Sequence, residues 1–303
     1  MFMTIDKVVI PVAGLGTRLL PATKSQPKEM LPIGRKPIVQ YVVEEMIAQG
    51  LRKFLFITGR NKRSIEDHFD RDPELVNRLA EAGDQDALDE IPYEQEGVEF
   101  FYTRQSIPAG RSAPAGLGAA VGLAEEFVGR EPFVVALGDT IIRSGNHAGL
   151  VKRMIAAHVK HNAACTIAVF EVEPDQVSRY GIVAPRGRIG SEFDARDVVE
   201  KPAAADAPSR FAIAARYVLH PDIFDAIRVT PPGVHGEVWL TDAIRILIKQ
   251  GRTVRCVRLK PDEVRYDIGN PESYFQAFVD FALADRRYGY LIRQYIQKRL
   301  REI

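Results

Sequence analysis

The feature that most constrains this chain is a repeated exchange between short apolar runs and segments of helical period. Residues 7–13 read as a strand, 38–48 as a helix, 53–58 as a strand and 64–69 as a helix. A strand over 98–103, a helix over 118–127 and the apolar strand PFVVAL over 132–137 extend the pattern. Continuous apolar strands separated by helices imply an α/β fold with a mostly parallel sheet covered on both faces. Beyond residue 158 the strands crowd together, near 166–172, 181–184, 198–201 and 211–219, which implies a smaller, more mixed sheet region. Helices return over 221–227, 242–249 and 271–283. The basic, aromatic segment 288–300 reads as an amphipathic helix packed on the body or on a neighbour. The acidic stretch 81–99 is expected to be an exposed excursion, and AAADAPS over 203–209 a loop.

A chain of 303 residues, 46% apolar and 27% charged, has ample material for one large α/β core. Its formal net charge of +1 gives no global attraction for nucleic acid or an anionic membrane. Recognition of phosphate must then come from a local site. No apolar run approaches the roughly 18 residues of a membrane helix, and the first residues lack a secretory pattern, so a cytoplasmic protein is expected. Cys165 and Cys256 stand in strand-like surroundings without a CxxC or a nearby His, and read as reduced structural thiols.

The chemistry concentrates in PVAGLGTRLLPATKSQPKEMLPI, residues 11–33, directly after the first strand. Gly14 and Gly16 allow backbone shapes that turn successive N–H groups toward a phosphate, and Arg18 adds a planar fork of donors. A P-loop would need Gly-Lys-Ser/Thr after four spacers, and a dinucleotide fingerprint a third Gly where Leu19 stands; neither is present. A lone GxG after a strand is equally a strand-to-helix turn. Pro21, Pro27 and Pro32 keep the segment irregular, however, and a long ordered loop carrying Lys28 and Glu29 points to function.

The same loop, with PKEMLP, resembles that of the bacterial UTP-glucose-1-phosphate uridylyltransferases and, more distantly, the glucose-1-phosphate thymidylyltransferases. PIVQYVVEEMIAQG, GLGAAV, LGDTII, RYGIV, VVEKP, ARYVL, LTDAI and YDIGNPESY follow in the family's order across nearly the whole chain. The resemblance implies a Rossmann-like nucleotidyltransferase fold, with a catalytic domain over 1–285 and a C-terminal helix over 286–303. Residues 1–145 would serve the nucleotide and 160–270 the sugar phosphate. By the match, Ala13 and Gly14 contact the uracil, Gln105 and Gly116 complete base recognition, and Arg18 and Lys28 bind the triphosphate beside Gly16. Asp139 and Asp267 hold Mg²⁺. Gly181 and Glu200 bind the sugar, and Lys201 its phosphate. The implied partners are UTP and glucose 1-phosphate, with no nucleic acid or membrane, in a homo-oligomer, dimer or tetramer.

Each residue also has a plainer reading. Gly-Asp at 138–139 can simply form a turn, Glu200 and Lys201 can be an ion-paired turn before Pro202, and Thr241 or Asp242 can cap a helix. His158 and His161 are spaced for one helix face but lack a third metal ligand. Departures from the family include the long SIPAGRSAPA over 106–115, read as a mobile flap beside the base pocket, a thymidylyltransferase-like LGDTII, Ala119 in place of a common His, and Trp239 in place of a polar residue. These leave a thymidylyltransferase, or another sugar, as the alternative. A non-catalytic sugar-nucleotide sensor is the rival of another class; intact Lys28, Asp139, Lys201 and Asp267 argue against it.

Overall fold

A computed structural model describes residues 5–94, 97–144, 149–233 and 236–302. Expectations touching residues 1–4, 95–96, 145–148, 234–235 and 303 lie outside the described residues. The N-terminal half contains β1 (Lys7–Pro11), the ribbon β2 (Pro32–Ile33) and β3 (Lys36–Pro37), α1 (Ile38–Ala48), β4 (Lys53–Thr58), α2 (Arg63–Phe69), α3 (Pro73–Glu81), α4 (Gln85–Asp89) and β5 (Glu99–Arg104). Next come α5 (Leu117–Gly122), α6 (Glu125–Val128), β6 (Phe133–Ala136), β7 (Thr140–Arg143) and α7 (Leu150–Lys160). The remainder comprises β8 (Cys165–Glu171), β9 (Gly181–Arg186), β10 (Glu192–Glu200), β11 (Phe211–Leu219), α8 (Asp222–Val229), α9 (Leu240–Lys249), β12 (Val254–Arg258), β13 (Val264–Asp267), α10 (Pro271–Ala284) and α11 (Gly289–Glu302).

One nine-stranded sheet, ordered β5-β4-β1-β6-β11-β8-β12-β10-β9, forms the centre. The crowded second-half strands extend this sheet rather than building a separate one. Strands β5, β4, β1 and β6 are mutually parallel, but β11 runs antiparallel to both β6 and β8, and β10 is antiparallel to β9 and β12. The sheet is therefore parallel mainly in its N-terminal half. β11 is buried along its whole length, so its apolar run looks the same from sequence whichever way it points. Helices α1, α2 and α7 cover one face, over Val8, Ile10, Phe54 and Phe56; α5, α8 and α9 cover the other, over Val9, Leu55, Val135 and Ile167. The helix expected over 118–127 is two short ones, with Gly122 ending the first, as a residue of low helix propensity favours.

Two segments add detail to the expectation. The acidic stretch carries α4, capped by Asp84, and is docked by buried Tyr93 and by Glu90, which receives Arg35 and Lys36 and whose carbonyl accepts from Gln40. Helix α11 forms as expected, but Tyr290, Leu291, Tyr295 and Leu300 are 58–70% exposed, because no described part of this chain covers their face. Its described attachment is at its start, where Arg293 donates to the Leu283 carbonyl of α10.

The topology places a crevice where ligands are ordinarily held. Successive strands leave β1 toward β4 and β5, and the chain then returns to β6 on the other side of β1. That reversal makes the C-terminal ends of β1 and β6 a switch point, open to a ligand. The glycine loop follows β1, and Gly138-Asp139 follows β6.

Candidate active site

After β1, the loop runs through three short 3-10 turns, Thr17–Leu19, Ala22–Lys24 and Lys28–Met30, which its prolines keep from extending into a helix. Gly16 has φ of 68°, a left-handed shape natural to glycine, and its carbonyl accepts the Thr23 hydroxyl at 2.8 Å. Ala13, Gly14, Gly16, Arg18, Lys28, Gln105, Gly116 and Asp139 all line one cavity of about 430 Å³. A second cavity of about 900 Å³ is lined by Gly181, Glu200, Lys201 and Asp267. Both cavities share Arg18, Leu117, Leu137, Asp139 and Gly269 as walls. Every residue to which the resemblance gives a site role thus borders one two-ended site.

At the smaller end, the Gln105 Nε2 donates to the Gly116 carbonyl at 3.0 Å, so its amide oxygen is the atom left to accept from a ligand. The segment 106–115, expected to be a mobile flap beside the base pocket, has two attachments: Arg111 donates to the Gly236 carbonyl, and Val238 N–H to the Ala115 carbonyl at 2.7 Å. Ala113 and Pro114 form part of the wall. Gly116 permits this approach, since a Cβ there would stand 2.8 Å from the Val238 oxygen.

Between the two ends, Lys28 Nζ is paired with Asp139 Oδ2. Burial lowers the affinity of Lys28 for its proton, but the charges of Asp139, Glu29 and Asp267 outweigh it and raise its pKa. For Asp139, burial acts upward, and Lys28 overcomes it to hold the carboxyl below its ordinary range. Both groups are therefore charged at neutral pH. Behind them Glu29 and Lys62 form a buried pair at 2.6 Å, invisible to a reading that weighed Glu29 only as a neighbour of Lys28.

Asp267 ends β13, whose register sets it opposite Thr140 of β7, and the Ile268 N–H donates to the Asp139 carbonyl at 3.0 Å. The two carboxylates thus come from adjacent strand ends and face a shared cavity. Among the described residues there is no cluster of three or more His, Cys, Asp or Glu that could hold a metal. Two carboxylates, with water and phosphate oxygens completing the shell, nonetheless fit a hard divalent cation that retains much of its hydration.

The larger end is built on β9 and β10, where Gly181 pairs with Glu200. A Cβ at Gly181 would approach Ile213 Cδ1 to 2.9 Å and both Glu200 Oε2 and Thr241 Oγ1 to 3.2 Å, so a larger residue there would disturb the seat of the Glu200 carboxylate. Thr241 donates its hydroxyl to Glu200 at 2.7 Å. It does not cap α9, whose N-terminus receives no side-chain cap. Lys201 has φ of 43°, and Ala215, in a bulge of β11, has φ of 60°. Such backbone is costly outside glycine, and both residues border this cavity. The left-handed turn at Lys201 separates its side chain from the strand direction of Glu200, although Nζ remains 3.5 Å from Glu200 Oε1.

Two arginines escaped the sequence reading. Arg265 lies over the rings of Phe170 and Tyr180, with 5.0 and 5.1 Å to their centroids, and donates to Asp267 at 3.2 Å. Its position two residues before Asp267 in a strand, hence on the same face, was the available signal. Arg216, fully buried, donates to Glu45 of α1 and to the Thr140 carbonyl at 2.9 Å, fixing the turn beside Asp139. His158 is a core histidine: Nδ1 meets Thr166 Oγ1 at 3.1 Å, and burial, with His220 adding to it, pushes its pKa down to about 4. Cys165 and Cys256 are buried and free. Among the described residues, no helix is long and apolar enough to cross a membrane.

Comparison with known proteins agrees with this geometry. The nucleotidyl transferase family model matches residues 7–283. UTP–glucose-1-phosphate uridylyltransferase 2 of Staphylococcus saprophyticus is 42% identical over 97% of this chain and 98% of its own. A UTP-bound enzyme of the same class from Acinetobacter baumannii superposes with a TM-score of 0.85 at 35% identity, covering 97% of this chain and 99% of that one. A UDP-glucose pyrophosphorylase complexed with UDP-glucose gives a TM-score of 0.82 at 37% identity, covering 93% and 100%. Matched over nearly its full length in sequence and in fold, this chain belongs to the nucleotidyl transferase family, among the UTP–glucose-1-phosphate uridylyltransferases.

Proposed function

We propose that the protein transfers a uridylyl group from UTP to glucose 1-phosphate, releasing pyrophosphate and forming UDP-glucose. The observation that carries this reading is the two-ended site, in which Arg18 and Asp139 are common to a nucleotide-sized cavity and a larger, more polar one. A sugar-phosphate oxygen attacks the α-phosphorus of UTP in line; the bond from that phosphorus to the bridging oxygen breaks, and pyrophosphate leaves with the electron pair. No covalent enzyme intermediate is needed. Catalysis is positioning and charge neutralisation between two anions.

In this reading the Ala13 and Gly14 backbone and the Gln105 oxygen receive the base. Uracil presents an N–H at its pairing edge where cytosine presents an acceptor, so the Gln105 oxygen favours uracil or thymine. Gly16, Arg18 and Lys28 take the triphosphate, Glu200 and Gly181 the sugar hydroxyls, and Lys201 the sugar phosphate. Asp139 and Asp267 would hold Mg²⁺, which when bound neutralises charge between the reactants. Residues 1–145 then serve the nucleotide and 160–270 the sugar. Exposed Phe275 and Val279 of α10, with Tyr290, Leu291 and Tyr295 of α11, support a homo-oligomer, dimer or tetramer, which light scattering checks. A cytoplasmic setting accords with the two free cysteines.

Pyrophosphate release should appear with UTP, glucose 1-phosphate and Mg²⁺ together, and fall to background when any one is omitted. A folded protein inactive across four nucleoside triphosphates and several sugar 1-phosphates would sink the assignment. Gly116 and Ala115 link the segment 106–115 to the base end, so trimming 107–112 should shift the UTP-to-dTTP efficiency ratio by about tenfold, the scale of a one-methyl discrimination. An unchanged ratio would make the segment a surface insertion.

A further inference from the structure

Trp239 borders the larger end of the site and has no part in the roles assigned so far. It lines the larger cavity together with Glu200, Lys201, Leu117 and Leu240. Its ring packs closely against Gly233, where a Cβ would lie 3.2 Å from the ring carbons, tighter than an ordinary contact. The indole N–H is already spent on Glu237 Oε2 at 3.2 Å. The backbone around it is fixed from the nucleotide end: Val238 donates to Ala115 at 2.7 Å and accepts from Gly118 at 2.8 Å, and Ala243 donates to the Trp239 carbonyl at 3.3 Å. A rigid aromatic ring with its polar atom satisfied, bordering a cavity otherwise supplied with carboxylate, hydroxyl and cations, offers an apolar surface and no hydrogen bond.

We propose that the Trp239 ring is the platform for the pyranose of the sugar 1-phosphate and a determinant of which hexose is accepted. The proposal rests on the uridylyltransferase reading and deepens it. In α-glucose 1-phosphate the hydroxyls at C2, C3 and C4 are equatorial and the axial phosphate oxygen at C1 obstructs the face bearing the C3 and C5 hydrogens, so the opposite face, with axial C–H bonds at C2 and C4, packs flat on an aromatic ring. An axial hydroxyl at C4, as in galactose 1-phosphate, stands on that same open face and sets an oxygen against the π-cloud. Glu200, held by Thr241, then reads hydroxyls at the ring edge while Trp239 reads the C–H face.

Trp239 is the one tryptophan of the chain, so its emission reports on this position alone. In the parent protein, UDP-glucose without pyrophosphate should change the emission, and UMP, which lacks the sugar, should change it much less. Trp239→Gln should raise KM for glucose 1-phosphate by roughly three- to tenfold, the scale of one aromatic contact. Its KM for UTP should move little, and its preference for glucose over galactose 1-phosphate should narrow. Trp239→Phe should restore most of the KM and the preference. The proposal is overturned if Trp239→Gln keeps the parent KM and sugar ratio, or if calorimetry shows UDP-glucose bound while the parent emission is unchanged. A parent protein that turns over no sugar 1-phosphate would instead sink the functional reading itself, and the emission titration still decides whether the ring meets a sugar nucleotide.

Discussion

Asp139→Asn should lower kcat on the order of a hundredfold or more, roughly 3 kcal/mol of lost transition-state stabilisation, while leaving the protein folded. The turn itself is held by other atoms, and Lys28 keeps the charges of Glu29 and Asp267 beside it. A Cβ at Gly138 would stand 2.5 Å from Val12, so the turn depends on that glycine rather than on the next side chain. Leu137 N–H donates to the Ala215 carbonyl at 3.2 Å, and Arg216 grips the Thr140 carbonyl. Asparagine forms such turns as readily as aspartate. What it cannot do is supply a full negative charge opposite Lys28, or a hard anionic oxygen for a divalent cation. Asp267→Asn should cost less, since Arg265 already occupies one of its oxygens. Rate against Mg²⁺ concentration, with thermal unfolding alongside, separates the accounts. Near-parental rates with an unchanged Mg²⁺ requirement would reject the carboxylate pair as a metal site.

How much of this site was legible beforehand follows from how its parts are spread along the chain. The glycine loop is contiguous, so Gly14, Gly16, Arg18 and Lys28 declare themselves together between a strand and a run of prolines. Glu200 and Lys201 are neighbours, and the resemblance in VVEKP was enough to select them. Partnerships across the fold were not legible. Thr241 reaches Glu200 over 41 positions and Arg216 reaches Glu45 over 171, distances closed only by the strand order and the helix packing. Strand direction was equally hidden, because burial on both faces makes β11 apolar whether it runs with or against β6. The attachments of segment 106–115 were hidden in the same way: the Arg111 side chain reaches the Gly236 carbonyl over 125 positions, and the Ala115 carbonyl accepts from Val238 N–H.

Lys62→Met should destabilise the protein by about 3–5 kcal/mol, the usual consequence of removing one partner of a buried ion pair. Glu29 is 1% exposed, and Lys62 Nζ lies 2.6 Å from its carboxylate. Burial drives the Glu29 pKa up, and Lys62 and Lys28 offset only part of that rise; burial likewise drives Lys62 down. Methionine fills the volume of the lysine stem but leaves Glu29 with Lys28 alone, whose charge is already engaged by Asp139. The loss should depend on pH with a definite sign. Glu29 in the folded variant holds its proton more tightly than in the unfolded chain, so between those two pKa values the folded state binds more protons and stability falls as pH rises. The deficit relative to the parent should be smallest near pH 5, where Glu29 is closest to neutral, and grow toward pH 8. Glu29→Gln added to Lys62→Met removes the stranded charge and should recover much of the stability, since an amide with neutral surroundings is far cheaper to bury than an unpaired carboxylate. Unfolding curves of the three proteins at pH 5 and pH 8 give the test. If the deficit of Lys62→Met does not change between these pH values, the pair is an ordinary packing contact and Glu29 carries no buried charge for Lys62 to offset.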